Sequence, residues 1–172
     1  GTVLSIGAAK RAVDAGARFI VSPHTDTELI AWCALSGVPC YPGALSPTEI
    51  HAAWSAGASA VKLFPASAVG TGYLKQLAGP FPQIRFVPTG GVSAHTAGDW
   101  IAAGAVAVGL GGWLIGDGEP NGITERSRQV VDAVSGACGG GPRPTERRPR
   151  ARGGNMTEGA SRYSDPACVT GP

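Results

Sequence analysis

One lysine of this chain lies inside an apolar stretch, where an amine has unusual chemistry. Lys62 stands between Val61 and Leu63, and residues 60–64 have the composition of a buried β-strand that ends at Pro65. Burial removes the hydration of an ammonium group and lowers its pKa. An unprotonated amine near neutral pH can attack a ketone and form a Schiff base, which predicts covalent catalysis by Lys62. The alternative is a structural lysine at a strand end, whose ammonium group reaches out to water.

Two pairs of glycines follow consecutive predicted strands. Gly90 and Gly91 come after Thr89, and Gly111 and Gly112 come after the next strand. Glycine lets backbone N–H groups approach an anion closely, and in barrel enzymes the loops after the last strands commonly bind phosphate. The pattern therefore predicts a phosphate site. The alternative is that each pair of glycines only makes a tight turn.

A unit of helix, glycine and strand recurs along the chain and positions these residues. In each copy an alanine-rich helix ends at a glycine, which can adopt the left-handed conformation of a helix C-cap, and a short apolar strand follows. The four glycines are Gly16, Gly37, Gly57 and Gly104. The pattern predicts helices over residues 8–15, 26–36, 47–56, 71–77, 94–103 and 122–137. Ser46 is the predicted N-cap of the third helix, and Glu49 completes a capping box.

Strands that alternate with single helices must run parallel, and two architectures contain such units: an open doubly wound sheet and a closed (β/α)8 barrel. The strand ends favour the barrel, because the catalytic groups of barrels gather where the strands end. Four strands end in polar or Gly/Pro-rich turns, at residues 22–24, 42–43, 65–67 and 89–91. Five whole strands and the end of another, at residues 2–4, can be counted. We therefore predict an α/β fold of the (β/α)8 TIM-barrel type that is incomplete at its N-terminus.

The last part of the chain has a different composition. Residues 1–138 carry eight Lys/Arg and nine Asp/Glu, a net charge of −1, whereas residues 139–172 carry six Arg and three acidic residues, a net charge of +3. The second segment is rich in Arg, Pro and Gly and poor in apolar residues. We therefore predict a partial barrel domain over residues 1–138 and a disordered tail over residues 139–172. An arm that binds RNA or acids is the alternative, although it has no interleaved aromatic residues.

Composition and spacing argue against several other classes of protein. The predicted barrel domain has no basic excess for binding nucleic acid or an anionic membrane, and no apolar run reaches transmembrane length. The four cysteines form no CxxC pair and have no metal-like spacing with the three histidines; they are Cys33, Cys40, Cys138 and Cys168. We therefore expect free thiols, no bound metal and a cytoplasmic protein without a signal peptide.

Seven short segments of the chain share their sequence and their order with one family of enzymes. They are residues 1–4, 22–24, 42–43, 61–66, 79–81, 88–92 and 111–114. Together they resemble the 2-keto-3-deoxy-6-phosphogluconate (KDPG) and 4-hydroxy-2-oxoglutarate (KHG) aldolases, which are class I aldolases of the bacterial Entner–Doudoroff pathway. The resemblance extends from residue 1 to about residue 135.

The resemblance implies a role for each matching residue. Lys62 would be the Schiff-base lysine that condenses with the ketone of pyruvate, and Phe64 would share its face of the strand and wall the pocket. Thr2, Pro23 and Thr89 would line the region of the pyruvate carboxylate and hydroxyl. The phosphate group would lie against the four glycines Gly90, Gly91, Gly111 and Gly112.

The chain departs from the family at two points. The family has a serine where this chain has Gly112, so one side-chain donor to the phosphate is absent. The family's general acid/base glutamate and a carboxylate-binding arginine lie on strands that precede residues 1–4. Glu28 and Glu49 stand at helix starts, where capping and the helix dipole explain them. His24 follows the end of a strand, where we expect it to form part of the loop or of the pocket wall; the alternative is that it relays protons.

The implied activity is that of an aldehyde-lyase, which cleaves 2-keto-3-deoxy-6-phosphogluconate to pyruvate and glyceraldehyde 3-phosphate. No cofactor is expected, because the imine itself withdraws electrons from the bond that breaks. A second candidate substrate is 4-hydroxy-2-oxoglutarate, which would give pyruvate and glyoxylate. The alternatives are an aldolase for 2-keto-3-deoxy-6-phosphogalactonate, which Thr89 disfavours, and a catalytically incomplete barrel fragment that binds phosphate. The expected partners are the phosphorylated keto acid and further copies of the chain, in a trimer if the family's habit holds.

Overall fold

The computed structural model describes residues 1–137, in which helices alternate with short parallel strands. The strands are β1 (Ile20–Val21), β2 (Cys40–Tyr41), β3 (Gly43–Ala44), β4 (Val61–Leu63) and β5 (Phe86–Pro88). The helices are α1 (Ile6–Asp14), α2 (Thr27–Leu35), α3 (Pro47–Ser55), α4 (Gly70–Ala78), α5 (Ala94–Ala102), α6 (Gly112–Ile115) and α7 (Pro120–Ala137). A 3-10 turn, Ala66–Ala68, lies between β4 and α4. The predicted α/β class is confirmed, whereas the predicted tail and the domain boundary at residue 138 lie outside the described residues.

The six predicted helices are present, and their ends differ from the predicted ends by at most two residues. Each recurring glycine has a positive φ angle, between 67° at Gly37 and 105° at Gly104. The residue after each glycine donates its N–H back to the last turn of the helix, as Ala105 does to the Trp100 carbonyl at 3.1 Å. This is the hydrogen bond of a Schellman C-cap, so the glycine-ended repeat is confirmed.

The capping box predicted at α3 is also confirmed. The Glu49 N–H donates to Ser46 Oγ at 3.3 Å, and the Ser46 N–H donates to Glu49 Oε2 at 2.8 Å. Backbone N–H groups of Ser46 and Leu45 lower the pKa of the Glu49 carboxyl, since they stabilise its charged form. The Glu49 carboxylate is therefore engaged in capping α3.

The strands form a parallel array that continues across two short sheets. β1 pairs with β2, and β4 lies between β3 and β5. Pro42, which has no N–H group, separates β2 from β3, but its carbonyl accepts the Lys62 N–H at 2.9 Å. The Ser59 N–H likewise donates to the Cys40 carbonyl at 2.9 Å. The residues that lead into β4 therefore run beside β2, and β4 itself runs beside β3.

Two of the predicted strands are not formed as strands. Residues 2–4 form no strand, although the Val3 N–H donates to the Val21 carbonyl at 3.0 Å. Residues 106–109 contribute a single bridge, between Gly109 and Thr89. Within residues 1–137 each of these segments has a neighbour on one side only, so it forms fewer hydrogen bonds than a central strand does.

The two faces of β4 and β5 differ in burial. Val61, Leu63 and Phe86 are between 0% and 3% exposed and face the helices, in what we call the helix face. Successive side chains of a strand point to opposite faces, and the alternate residues are half-buried. We call this second side of the sheet the open face, and it carries Lys62, Phe64, Val87 and Thr89.

The core lies between the helix face and the surrounding helices. Its fully buried members include Ile20, Leu29, Ile30, Ile50 and Leu63. Cys33 and Cys40 are free thiols buried in this core, and desolvation raises the pKa of Cys40 to about 12. Such thiols carry little thiolate, so we assign them a packing role. No helix within residues 1–137 is long and apolar enough to cross a membrane.

Candidate active site

Lys62 lies at the centre of the open face. Its register partners are Gly43 of β3 on one side and Val87 of β5 on the other. The side chain is half-buried, and this desolvation lowers the pKa of its amine from the ordinary value of 10.5. Within residues 1–137 Lys62 forms no salt bridge that would offset the desolvation. A lowered pKa increases the fraction of neutral amine, which is the form that can add to a carbonyl.

The Phe64 ring lies against this amine. The Nζ atom of Lys62 is 4.3 Å from the centroid of the ring, a distance that suits a cation–π contact when the amine is protonated. Gly90 packs on the same ring, because a Cβ atom at that position would lie 3.1 Å from Phe64 Cε2. A larger residue at position 90 would therefore displace the ring that covers the amine.

The turn between β1 and α2 folds over the open face beside Lys62. A Cβ atom on Gly43 would collide with the Pro23 carbonyl and would lie 2.9 Å from the backbone nitrogen of His24. Register partners in neighbouring strands direct their Cβ atoms to the same face, so this turn lies on the side of the sheet that carries the Lys62 side chain. The Thr25 hydroxyl donates to the Gly43 carbonyl at 2.9 Å and fixes the turn there.

Thr89 extends the open face beyond the end of β5. Its N–H donates to the Leu63 carbonyl at 3.0 Å, and its hydroxyl donates to the Val87 carbonyl at 3.2 Å. A Cβ atom on Gly109 would collide with the Thr89 side chain, so the absence of a side chain at position 109 leaves room for it. The lone pairs of the Thr89 hydroxyl accept no hydrogen bond within residues 1–137, and a ligand could donate to them.

The glycine turn after β5 is docked on the 3-10 turn. The Ala66 N–H donates to the Thr89 carbonyl at 2.8 Å, and the Ser67 N–H donates to the Gly90 carbonyl at 3.0 Å. Gly90 and Gly91 have φ angles of 91° and 77°, in the left-handed region that favours glycine. In the described part of the chain their own N–H groups donate to no backbone carbonyl. Two adjacent donors are therefore available to an anion.

The remaining residues of the predicted site lie at the two ends of the strand array. Gly111 and Gly112 are exposed at the start of α6, shortly after the bridge at Gly109. Thr2 is exposed next to β1, with a φ angle of 64°. The structure thus brings Pro23, Phe64, Thr89 and Gly90 to the open face that carries Lys62, while Thr2 lies beside β1 and Gly111 and Gly112 follow the bridge at Gly109.

Reasoning from the sequence missed three features of this site. It treated Gly43 as part of a turn, whereas the residue lies within β3; a glycine inside an apolar run is the available signal for close backbone approach. It assigned nothing to Ser67, whose Cβ would lie 2.6 Å from a Cβ atom on Gly91. It also overlooked the pairing of Ser22 Oγ with His24 Nδ1, at 3.0 Å.

The fold and these groups together are typical of one class of protein: enzymes built on parallel α/β units, here with a half-buried lysine on the same face as backbone donors for an anion. The family described as KDPG and KHG aldolase matches residues 1–130. The chain is 39% identical over 140 residues to the 2-dehydro-3-deoxy-phosphogluconate aldolase of Treponema pallidum, which covers 78% of this chain. It is 40% identical over 127 residues to the enzyme of the same name from Pseudomonas aeruginosa, which covers 73%. This chain belongs to the KDPG and KHG aldolase family.

Solved structures agree with this assignment. A structure of native KDPGal superposes with a TM-score of 0.77 and 32% sequence identity, over 80% of this chain and 68% of the other. The KDPG aldolase of Legionella pneumophila, with pyruvate captured as a covalent carbinolamine intermediate, superposes with a TM-score of 0.63 and 31% identity, over 80% and 65% of the two chains. The relatives are named as aldolases, which are lyases, so the predicted enzyme class is confirmed for the family. The chain spans 67% of the Treponema relative and 56% of the Pseudomonas relative.

Proposed function

We propose that this chain carries the active site of a class I aldolase, which cleaves 2-keto-3-deoxy-6-phosphogluconate to pyruvate and glyceraldehyde 3-phosphate. The observation that carries the proposal is the half-buried Lys62, whose pKa is lowered by desolvation and whose amine lies against Phe64. The covalent pyruvate described for the Legionella relative supports the same chemistry here.

In the proposed reaction the neutral amine of Lys62 adds to the C2 ketone to give a carbinolamine, which takes up one proton from solvent and loses water to give a protonated imine. The imine withdraws electrons from the C3–C4 bond while a base removes the proton of the C4 hydroxyl, and the bond breaks to release the aldehyde. The remaining enamine of pyruvate takes a proton at C3. Water then hydrolyses the imine, which frees pyruvate and restores the amine.

The proposed substrate contacts follow from the available groups. Thr89 offers hydroxyl lone pairs and Pro23 lies over the open face, which supports the proposal that they line the pyruvate end of the ligand. The N–H groups of Gly90 and Gly91, which have no acceptor within residues 1–137, support a phosphate site at that turn. We propose that the whole protein closes into a (β/α)8 TIM-type barrel. Closure would bring Thr2 and the pair Gly111 and Gly112 toward the same centre.

Two related substrates compete with the gluconate compound. Relatives named for either sugar acid match this chain, and the 2-dehydro-3-deoxy-6-phosphogalactonate aldolase of Escherichia coli is 36% identical over 134 residues. We propose the gluconate compound because of Thr89, with 4-hydroxy-2-oxoglutarate as a weaker substrate that lacks the phosphate. We also propose a cytoplasmic homo-oligomer, with a trimer as its form.

The proposed function is tested by measuring pyruvate release from the three candidate substrates. We expect the phosphogluconate compound to give the highest kcat/KM, and we expect Lys62→Met to abolish release. The matched control is Lys75→Met, since Lys75 is an exposed lysine on α4. Equal rates for the wild type and Lys62→Met would disprove the proposal.

A second candidate function is phosphate binding without catalysis. It is favoured by the donors at Gly90 and Gly91, which do not depend on Lys62. Calorimetric titration with glyceraldehyde 3-phosphate or inorganic phosphate separates the two candidates. Binding by a folded protein that releases no pyruvate would support this alternative over the aldolase.

A further inference from the structure

Arg126 of α7 holds the C-terminal end of the short helix α6. Its Nε atom donates to the Leu114 carbonyl at 2.8 Å, and its Nη2 atom donates to the Ile115 carbonyl at 2.9 Å. Both carbonyls belong to the last turn of α6, where no residue of the helix itself can donate to them. A guanidinium group presents its donors in a rigid fork, so the two bonds fix the orientation of α6 against α7.

The guanidinium group lies in a space that two glycines leave open. A Cβ atom on Gly116 would lie 2.8 Å from Nη2 of Arg126, and one on Gly122 would lie 3.1 Å from Nη1. Asp117 adds an ion pair, in which its Oδ1 atom is 3.5 Å from Nη2. The Arg126 side chain is 24% exposed, whereas that of Arg128, whose ion pair lies within α7, is 70% exposed. Arg126 is therefore packed into the junction of the two helices, and Arg128 is on the surface.

α6 depends on an anchor of this kind because it is too short to be stable alone. It has four residues, and the first turn of a helix is unfavourable to form in isolation. The Gly116 N–H donates to the Gly112 carbonyl at 2.8 Å and closes this single turn. The bond links the end of α6 that Arg126 holds to the residue that begins it. A shift at the held end would therefore move Gly112 as well.

The start of α6 leaves the sheet at the same edge as the glycine turn of the proposed phosphate site. Thr89 and Gly109 form a parallel bridge, and the Gly109 N–H donates to the Pro88 carbonyl at 2.8 Å. Neighbouring parallel segments end at one edge of a sheet, so residues 90–91 and residues 111–112 both emerge there. Within residues 1–137 the N–H groups of residues 111 and 112 donate to no backbone carbonyl.

We propose that Arg126 is a positioning residue for the phosphate group of the substrate. By holding α6 against α7, it keeps the N–H groups of Gly111 and Gly112 where the phosphate binds. This inference rests on the proposed function, and it extends the machinery of the site to a side chain that touches no substrate atom. It gives Arg126 no part in the formation of the imine at Lys62.

Two substrates that differ in their phosphate group isolate this role. Arg126→Ala should raise the KM for 2-keto-3-deoxy-6-phosphogluconate on the order of tenfold, because a small misplacement of a binding group has effects of at least that size. The kcat should stay unchanged, as expected for a loss of binding that the ground state and the transition state share. The KM for 4-hydroxy-2-oxoglutarate, which has no phosphate, and the borohydride trapping of pyruvate should remain at the wild-type level.

Two further variants separate the geometry of the clamp from its charge. Arg128→Ala removes the same charge from the same helix and should leave both KM values unchanged. Arg126→Lys keeps the charge, but an ammonium group cannot reproduce the rigid fork to two carbonyls. It should raise the KM for the phosphorylated substrate by less than Arg126→Ala does. If Arg126→Ala fails to fold, this milder variant decides by the same comparison of the two substrates.

The outcomes separate this inference from the proposed function. A rise in KM that is confined to the phosphorylated substrate supports the inference. If the KM values of both substrates rise together, if neither changes, or if Arg128→Ala has the same effect, the role of Arg126 fails while the proposed function stands. If the wild-type protein releases no pyruvate from either substrate and traps none, the proposed function fails and this inference fails with it.

Discussion

The helix face and the open face of the same strands are built for different tasks. On the helix face, Val61 and Leu63 are fully buried against the core. On the open face, the residue between them, Lys62, is half-buried beside Phe64 and forms no salt bridge within residues 1–137. Adjacent residues of β4 therefore carry a side chain that stabilises the fold and a side chain whose environment suits imine formation. Substitutions on the two faces should therefore affect stability and activity separately.

The largest contrast should come from adjacent residues of β4. Leu63→Ala removes a fully buried side chain and should lower the free energy of unfolding by about 2–5 kcal/mol. The protein that remains folded should still form the pyruvate imine. Lys62→Met should lose imine formation completely without loss of stability. Urea denaturation and reductive trapping of both variants check this, and a Lys62→Met protein as unstable as Leu63→Ala would break the distinction.

The turn over the open face gives the next effect. Gly43→Ala would push a methyl group into the Pro23 carbonyl, and such overpacking should lower the free energy of unfolding by about 3 kcal/mol. Gly72→Ala is the matched control, because a Cβ there meets nothing within 4 Å. A helix gains about 0.5–1 kcal/mol from this replacement. Urea denaturation of the two variants measures both changes, and similar stabilities would show that the turn does not press on Gly43.

A subtler change on the open face should act on activity rather than stability. Gly109→Ala would displace the Thr89 side chain, and if Thr89 contacts the substrate as proposed, this small displacement should lower kcat/KM on the order of tenfold. Gly136→Ala on α7, where a Cβ also meets nothing within 4 Å, is the control. Unchanged kinetics for Gly109→Ala would remove Thr89 from the proposed site.

The smallest expected effect is a dependence of stability on pH. Desolvation lowers the pKa of Lys62 in the folded protein, so the folded state disfavours the charged amine. This penalty is fully present below the folded pKa and disappears as the pH rises through the unfolded value of 10.5. Lys62→Met should therefore be more stable than wild type at pH 7, by a margin that narrows toward pH 10.5. A margin that widens with pH would contradict the desolvation of this amine.

Local signals in the sequence predicted the elements well. The glycines that end the helices and the capping box at Ser46 depend on neighbouring residues only, so periodicity and turn chemistry were enough. The contact between Gly43 and the β1–α2 turn joins residues about 20 positions apart in the chain, and composition does not encode it. The short 3-10 turn and α6 were missed because neither has the length to show a helical period.

Reductive trapping with peptide mapping tests the central claim most directly. The folded protein is incubated with pyruvate and borohydride, digested, and searched by mass spectrometry for reduced pyruvate on lysine. We predict one adduct per chain, on Lys62, and none on the exposed residues Lys10 and Lys75. An adduct on another lysine, or no adduct on a protein that circular dichroism shows to be folded, would contradict the assignment of Lys62.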